Sequence, residues 1–358
     1  MRLHCIIKAC LMASATIHNS PPTGLTSLQA EFNSLLSSCG VFELSGRSKI
    51  NLSGNDRVRW LNGMITNKVR DLAVGQGIYA FVLNPQGHIL GDLYAYNRGE
   101  SLLIDTDQAQ NEKLLGIFRK YIIMDKVDIA NLSDRLTAIG IAGPQAREVL
   151  IRAGLDFPKL APMQFAEVTW RDLPLTICRT DNPALESYEI WLAPEHTSVV
   201  SDALTNAGAT PISAATLELL RIASGIPRYG QDIRERDLPQ ETEQLRALHF
   251  SKGCYIGQEI VERIRSRGNV HRMFTGFEVQ GALPAAGTQI QSDNKDVGEV
   301  TSAASFPLSS GERLLALGYV RREFTNGQRL RAGEAELKPA FVPFSAIFHQ
   351  YKGINPHG

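Results

Sequence analysis

The stretch 252–259 reads KGCYIGQE and stands between two parts of the chain that differ in character. It sets a cysteine between two glycines, directly before a run with helical spacing of isoleucines and a cluster of arginines. No other stretch combines a potential nucleophile, conformationally permissive glycines and dense positive charge. We therefore expect this octapeptide to take part in function. Its residues are Lys252, Gly253, Cys254, Tyr255, Ile256, Gly257, Gln258 and Glu259.

Length and composition indicate an ordinary globular protein of more than one domain. The chain has 358 residues, of which 43% are hydrophobic and 21% charged. A chain of this length exceeds one typical hydrophobic core, so two or three domains are expected. The formal net charge is zero, so global electrostatics give no reason to expect binding to nucleic acid or membranes.

The cysteines and the N-terminus indicate a reducing compartment and no membrane span. The cysteines form no C-x-x-C pair, which predicts neither a metal site nor a disulfide framework. No apolar run approaches the roughly 18–20 residues of a spanning helix. We expect a cytoplasmic protein with a disordered tail over 1–24. If that tail is a transit peptide, the location is an organellar matrix. The cysteines are Cys5, Cys10, Cys39, Cys178 and Cys254.

Three charged residues stand in apolar surroundings and are candidate site residues. The run 78–96 predicts a hairpin that places Tyr79 and Asp92 on adjacent antiparallel strands. Glu189 lies in a second strand-like run, and Arg221 in an apolar helix over 214–225. A charge in such a place is costly unless it is paired or exposed. The alternatives are a solvent-facing Asp92 and an Arg221 that extends from the protein rim into solvent.

The strand-like patterns over 41–52 and after residue 272 predict structure and carry no functional motif. Residues 41–52 alternate like two paired strands joined by a Ser45-Gly46 turn. After residue 272, short strand-like runs predict a small antiparallel β-domain. The chain has no G-x-G-x-x-G after a strand, no phosphate-binding loop and no H-E-x-x-H. Nucleotide and metalloprotease functions are therefore not predicted, and no metal site is expected.

The octapeptide resembles the signature of the YgfZ family, folate-binding proteins linked to iron–sulfur cluster assembly or repair and to tRNA modification. That family shares a superfamily with the glycine-cleavage T-protein, an aminomethyltransferase. Weaker landmarks follow in superfamily order from about residue 25 to residue 344. The resemblance implies a ring of α+β domains around a folate-binding hole, with a C-terminal antiparallel β-barrel. The implied units are a folate-binding region over 25–250, the signature with a basic helix over 251–272, and the barrel over 273–350.

The resemblance also implies a tetrahydrofolate site built from four residues. Tyr79 would lie beside the pterin, and Asp92 matches the catalytic aspartate, although T-proteins have Asp-Asp where this chain has Gly91-Asp92. Glu189 would hold the pterin edge, because a carboxylate can accept two hydrogen bonds from an amide and an amino group. Arg221 would be a fixed donor near the cofactor.

Cys254 is the candidate functional cysteine. A thiolate at a helix N-terminus is stabilised by the helix dipole, and Lys252 would add to this effect. We expect Cys254 at the mouth of the folate pocket, where it would attack a one-carbon unit, exchange with a disulfide or hold a soft metal transiently. The alternative is a small buried cysteine packed between glycines. One thiolate does not hold an iron–sulfur cluster alone, because such clusters usually need four ligands.

Three functions follow from these residues. The first is a tetrahydrofolate-binding accessory protein that works with iron–sulfur assembly proteins or their client enzymes. The second is a folate-dependent aminomethyltransferase or demethylating enzyme that uses Asp92. The third is a tRNA-modification factor, in which a basic run would contact phosphates. The arginines of that run are Arg263, Arg265, Arg267 and Arg272.

Overall fold

The computed structural model describes residues 27–268, 270–325 and 329–349, so the predicted tail over 1–24 lies outside the described residues. The helices are, in chain order, α1 (Ser27–Ser37), α2 (Arg57–Met64), α3 (Asn111–Tyr121), α4 (Ala146–Arg152), α5 (Thr197–Asn206), α6 (Ala214–Ala223), α7 (Gln258–Arg267) and α8 (Ser345–His349). The strands of the first two thirds are β1 (Gly40–Glu43), β2 (Arg47–Ser53), β3 (Gly77–Leu83), β4 (Ile89–Asn97), β5 (Leu102–Asp107), β6 (Asp128–Asn131), β7 (Thr137–Ala142), β8 (Phe165–Trp170), β9 (Leu173–Arg179), β10 (Ser187–Leu192) and β11 (Thr210–Pro211). The later strands are β12 (Arg272–Gln280), β13 (Gln289–Ser292), β14 (Lys295–Leu308), β15 (Gly311–Arg321), β16 (Leu330–Ala332) and β17 (Ala335–Ala340).

A five-stranded sheet runs in the order β3-β4-β5-β2-β6. Side chains alternate between the two faces of a strand, so one face of this sheet carries Ile50, Leu52 and Ile104. These residues form one buried core with the apolar faces of α2 and α3. The opposite face carries polar and aromatic residues, and these need a second layer to cover them.

A six-stranded sheet supplies that layer. Its order is β11-β1-β7-β10-β9-β8. One face packs on α4 and α5 through residues such as Ile139, Ile190 and Val200. The other face turns toward the five-stranded sheet, where the rings of Tyr96 and Trp191 meet with centroids 4.7 Å apart. The two sheets therefore enclose a layer of side chains drawn from both.

The structure corrects the prediction for residues 41–52. Both strands form, but β1 pairs with β7 and β11, whereas β2 pairs with β5 and β6. They do not pair with each other, because the turn after β1 carries the chain from one sheet to the other. Periodicity predicts a strand and gives no information about its partner.

The C-terminal strands close into a barrel in the order β12-β15-β14-β13-β16-β17, as predicted. Closure leaves no unpaired sheet edge. The barrel has its own interior, and its outer face shares a buried core with α1, α6 and α8. Helix α6 is therefore packed between the barrel and the two sheets.

A buried charge network ties α6 to the barrel. Arg221 in α6 donates to the Asp232 carboxylate at 2.7 Å and to Ser302 Oγ of β14 at 2.8 Å. It also donates to Glu218 through two nitrogens and to the Ile226 carbonyl. All five N–H donors of the guanidinium are thus engaged. The alternative in which Arg221 extends into solvent is wrong.

Candidate functional site

The layer between the two sheets contains a cavity of about 410 Å³. This volume lies within the range of roughly 300–1,000 Å³ that is typical of ligand pockets. The walls come from both sheets, from α6 and from the connection that follows α6. The four residues assigned to a folate site all line this cavity: Tyr79, Asp92, Glu189 and Arg221.

The hairpin of β3 and β4 places Tyr79 and Asp92 side by side, as predicted from the sequence. Tyr79 Oη donates to Asp92 Oδ2 at 2.7 Å, and Gln110 Nε2 donates to Asp92 Oδ1 at 2.7 Å. Burial, followed by the nearby charge of Asp92, raises the pKa of Tyr79 well above its usual range. Tyr79 therefore stays protonated and remains a donor. The alternative of a solvent-facing Asp92 is wrong, since the carboxylate is half-buried and held at both oxygens.

The ring of Tyr79 is buried and covered on one face by Arg246. It is only 4% exposed, and the Arg246 guanidinium lies 4.4 Å from its centroid. Arg246 also forms an ion pair with Asp181. Arg246 and Asp181 line both this cavity and a second cavity of about 890 Å³ next to the barrel. A ligand that stacked on the face of the Tyr79 ring that Arg246 covers would have to displace Arg246.

Glu189 lies across the cavity from Asp92, on β10 of the six-stranded sheet. Its Oε2 accepts a hydrogen bond from Trp191 Nε1 at 2.9 Å and lies 3.7 Å from Lys49 Nζ. Within the described residues, Oε1 accepts no hydrogen bond. Since Glu189 lines the cavity, this oxygen is an available acceptor for a ligand with N–H donors.

Arg221 lines the same cavity, but its donors are already used. Each of its five N–H groups has a partner in Glu218, Ile226, Asp232 or Ser302. A hydrogen bond from Arg221 to a ligand would require one of these bonds to break. In this arrangement Arg221 shapes the wall and supplies a fixed positive charge.

The octapeptide lies beside the site, not in it. Gly257 has a φ of +82°, and a Cβ at this position would lie 2.6 Å from the Asn84 carbonyl oxygen. Across the same contact, a Cβ on Gly87 would lie 2.8 Å from Ile260 Cβ. Close approach through these two glycines packs α7 on the turn between β3 and β4. The octapeptide therefore braces the hairpin that carries Tyr79 and Asp92.

Lys252 is buried, and its ammonium is engaged away from Cys254. It donates to the carbonyl oxygens of Asn62 at 2.5 Å, Ile65 at 2.6 Å and Asn67 at 2.9 Å. The last carbonyls of a helix lack partners within it, so Lys252 caps the C-terminal end of α2. Burial lowers the pKa of Lys252 to about 7, while the three carbonyls oppose that shift because they favour the protonated form.

Cys254 is exposed, so the alternative of a buried, packed cysteine is wrong. It is not among the residues that line the cavity, and its position does not support a place at the cavity mouth. Helix α7 begins at Gln258 with Gly257 as its N-cap. Cys254 therefore lies before the first turn, outside the region where the helix dipole stabilises a thiolate. Glu259 pairs with Arg263, not with the thiol.

The described side chains of the basic run do not form one cationic face. Arg263 and Arg265 pair with glutamates of their own helix, and Arg272 lies on β12 between two carboxylates. The side chain of Arg267 lies outside the described residues. Each of these three arginines lies beside a carboxylate, which neutralises much of the positive charge that binding to a phosphate backbone requires. The ion pairs are Arg263–Glu259, Arg265–Glu262, Arg272–Asp237 and Arg272–Glu241.

Sequence reasoning missed Lys49, Gln110 and Arg246. Lys49 lies in a run of alternating polar residues, which is typical of a solvent-facing strand, and Arg246 follows a charged connection. Only tertiary packing turns these residues inward.

Among the described residues, no group of three or more His, Cys, Asp or Glu side chains is placed to hold a metal ion. No described helix has the length and apolar character needed to cross a membrane.

Two family models match the chain. The one described as the GCVT N-terminal domain matches residues 18–252, and the one described as the CAF17 C-terminal beta-barrel domain matches residues 273–344. The first match covers the two sheets and the cavity between them. The second covers the barrel.

Curated relatives of this chain include proteins named aminomethyltransferase. The protein from Rubrobacter xylanophilus is 28% identical over 341 residues, which cover 94% of this chain and 90% of the relative. The protein from Thermus thermophilus is 28% identical and covers 90% of this chain and 92% of the relative. Similarity therefore extends over nearly the full length of both chains.

A solved structure has the same fold. It is the glycine cleavage system aminomethyltransferase T from Bartonella henselae, with a TM-score of 0.79 and 22% sequence identity. The match covers 88% of this chain and 89% of that chain. The predicted architecture, a T-protein fold of α+β domains with a C-terminal antiparallel barrel, is confirmed.

Replacement of Lys252 by Met tests its role as a cap. We expect Lys252→Met to lower the free energy of unfolding by about 2–4 kcal/mol, because three carbonyls lose their donor. Urea unfolding followed by circular dichroism measures the change. The matched control, Cys254→Ser in the same octapeptide, should change stability by less than about 0.5 kcal/mol because Cys254 is exposed. Equal effects of the two replacements would contradict the assignment.

Proposed function

Because the chain belongs to the GCVT N-terminal domain family and carries a CAF17-type C-terminal barrel, we propose that it binds tetrahydrofolate between its two sheets. We further propose that it acts as a YgfZ-like accessory protein in iron–sulfur cluster assembly or repair. The observation that carries the first proposal is the open Oε1 of Glu189 on the cavity wall, opposite the held carboxylate of Asp92.

The residues present fit a tetrahydrofolate. The pterin edge carries an amide N–H and an amino group, and an ionised carboxylate is the acceptor suited to both. Glu189 supplies that acceptor. Asp92 keeps lone pairs beyond those used by Tyr79 and Gln110, so it can accept a further hydrogen bond from a folate amine. When bound, tetrahydrofolate supplies the nitrogens that carry one-carbon units.

The exposed thiol supports the accessory role. Cys254 is accessible to a partner protein and lies in the octapeptide that resembles the YgfZ signature. A cluster needs more ligands than one thiolate, so a partner or client enzyme would supply the others. The octapeptide contacts the hairpin of Tyr79 and Asp92 through Gly257, so the proposed folate site and the proposed partner site would lie on neighbouring elements.

Aminomethyl transfer is a second candidate function, and Asp92 favours it. The carboxylate is held by Tyr79 and Gln110 in a fixed orientation at the cavity wall. A carboxylate so placed can order a folate amine or assist proton transfer to it. The similar proteins named aminomethyltransferase support this candidate as well.

Replacement of Glu189 tests the folate proposal. We expect the wild-type chain to bind tetrahydrofolate and Glu189→Ala to bind it at least about tenfold more weakly, because a charged acceptor is lost. Anaerobic calorimetric titration measures both. Glu195→Ala is the control, since Glu195 is exposed and lies outside the cavity lining. Absence of binding to the wild-type chain would refute the proposal.

Replacement of Cys254 tests the accessory role separately. In a strain that lacks this protein, we expect Cys254→Ala not to restore iron–sulfur enzyme activity, whereas its tetrahydrofolate affinity stays unchanged because the thiol lies outside the cavity. Ser251→Ala, at an exposed neighbour, should restore activity fully. Full restoration by Cys254→Ala would remove the cysteine from the mechanism.

Replacement of Asp92 tests the second candidate. If the chain is a transferase, it forms methylenetetrahydrofolate from an amine donor, and Asp92→Asn lowers the rate by about 100-fold or more because proton transfer is impaired. Asp202→Asn, on the exposed side of α5, should leave the rate unchanged. No product from the wild-type chain, or equal rates with Asp92→Asn, would contradict transferase activity.

A further inference from the structure

Lys49 is a fully buried cation between the two sheets. It lies at the third position of β2, with an exposed fraction of 0%. Its ammonium lies 2.8 Å from Asp105 Oδ2 and 4.9 Å from the ring centroid of Trp191. An ammonium removed from water is strongly destabilised unless carboxylates compensate its charge. The carboxylates around Lys49 therefore have to balance its charge.

Asp105 alone does not balance the charge at this place. Its Oδ1 also accepts a hydrogen bond from Arg47 Nε at 3.0 Å, so two cations share one buried carboxylate. Burial raises the pKa of Asp105, but the charges of Arg47 and Lys49 lower it by more. The pKa is therefore below its usual value and the carboxylate stays ionised. The second negative charge comes from Glu189 of the other sheet, whose Oε2 is 3.7 Å from Lys49 Nζ. The four groups together are neutral.

The contact with Lys49 also fixes the orientation of Glu189. Lys49 and Trp191 Nε1 both approach the same oxygen, Oε2. Trp191 holds that oxygen by a hydrogen bond and the Lys49 ammonium attracts it across 3.7 Å, so Oε1 is the oxygen left for the cavity. A carboxylate oxygen is an acceptor for a ligand edge with N–H donors. The position of Lys49 thus determines which oxygen of Glu189 such an edge would meet.

We propose that Lys49 is a positioning residue that keeps Glu189 oriented with Oε1 toward the cavity, so that the cavity selects a ligand edge with N–H donors. This inference rests on the proposed binding of tetrahydrofolate at Glu189. It adds that the selectivity for a donor edge is set by a cation on the opposite sheet, which does not itself contact the ligand.

A double-mutant cycle tests the inference. We expect Lys49→Met to bind tetrahydrofolate about tenfold to 100-fold more weakly than the wild-type chain, and Glu189→Gln to show a loss of similar size. The combined variant should bind no more weakly than Glu189→Gln alone, because Lys49 acts through Glu189. Calorimetric titration of all four proteins gives the coupling. Losses that add in the combined variant would overturn the inference.

A second pair of variants separates positioning from folding. Lys49→Met combined with Asp105→Asn removes opposite buried charges together, which is better tolerated than breaking one pair. We expect this charge-balanced variant to lose as much tetrahydrofolate affinity as Lys49→Met alone. Adding Glu189→Gln to it should cause no further loss. Binding by the wild-type chain and weaker binding by Glu189→Gln would support the proposed folate site. If both Lys49 variants then bind tetrahydrofolate as tightly as the wild-type chain does, the inference about Lys49 is wrong. If the wild-type chain does not bind, the proposed function fails first.

Discussion

The Arg221 guanidinium is the contact on which the rest of the architecture depends. It joins Glu218 of its own helix, the Asp232 carboxylate of the connection and Ser302 of the barrel. Asp232 is fully buried and accepts hydrogen bonds from Thr301 and Ser302 as well. Breaking such a pair by removing one partner leaves an uncompensated buried charge, which typically costs about 3–5 kcal/mol. The wall that α6 gives to the cavity is therefore fixed relative to the barrel.

Between the two sheets, a second buried ion pair, Lys49 with Glu189, positions groups of the site. Lys49 and Glu189 belong to different sheets, so their contact links the two layers and leaves one carboxylate oxygen toward the cavity. The Asp92 carboxylate is held by Tyr79 of its own sheet and by Gln110. The site is thus preorganised by groups that lie behind the residues facing a ligand. The octapeptide supports it from outside through Gly257, while Cys254 remains on the surface.

The sequence predicts much of this site because some residues conflict with their local pattern. Asp92 and Glu189 are carboxylates in apolar strands, and Arg221 is a cation in an apolar helix, so each one indicates a burial that needs a partner. Lys49 does not conflict with its pattern, because alternating polar residues in β2 are what an exposed face would show. It becomes a buried group only when the other sheet covers it. The same limit explains why β1 and β2 are predicted as strands but not assigned to different sheets.

A crystal structure of the chain with tetrahydrofolate would locate the ligand and its contacts. We expect the ligand between the two sheets, with the amino and amide N–H groups of the pterin within hydrogen-bond distance of Glu189 and with Glu189 Oε2 still against Lys49 and Trp191. A pterin bound at the octapeptide surface beside Cys254, or in the second cavity next to the barrel without contact to Glu189, would contradict this expectation.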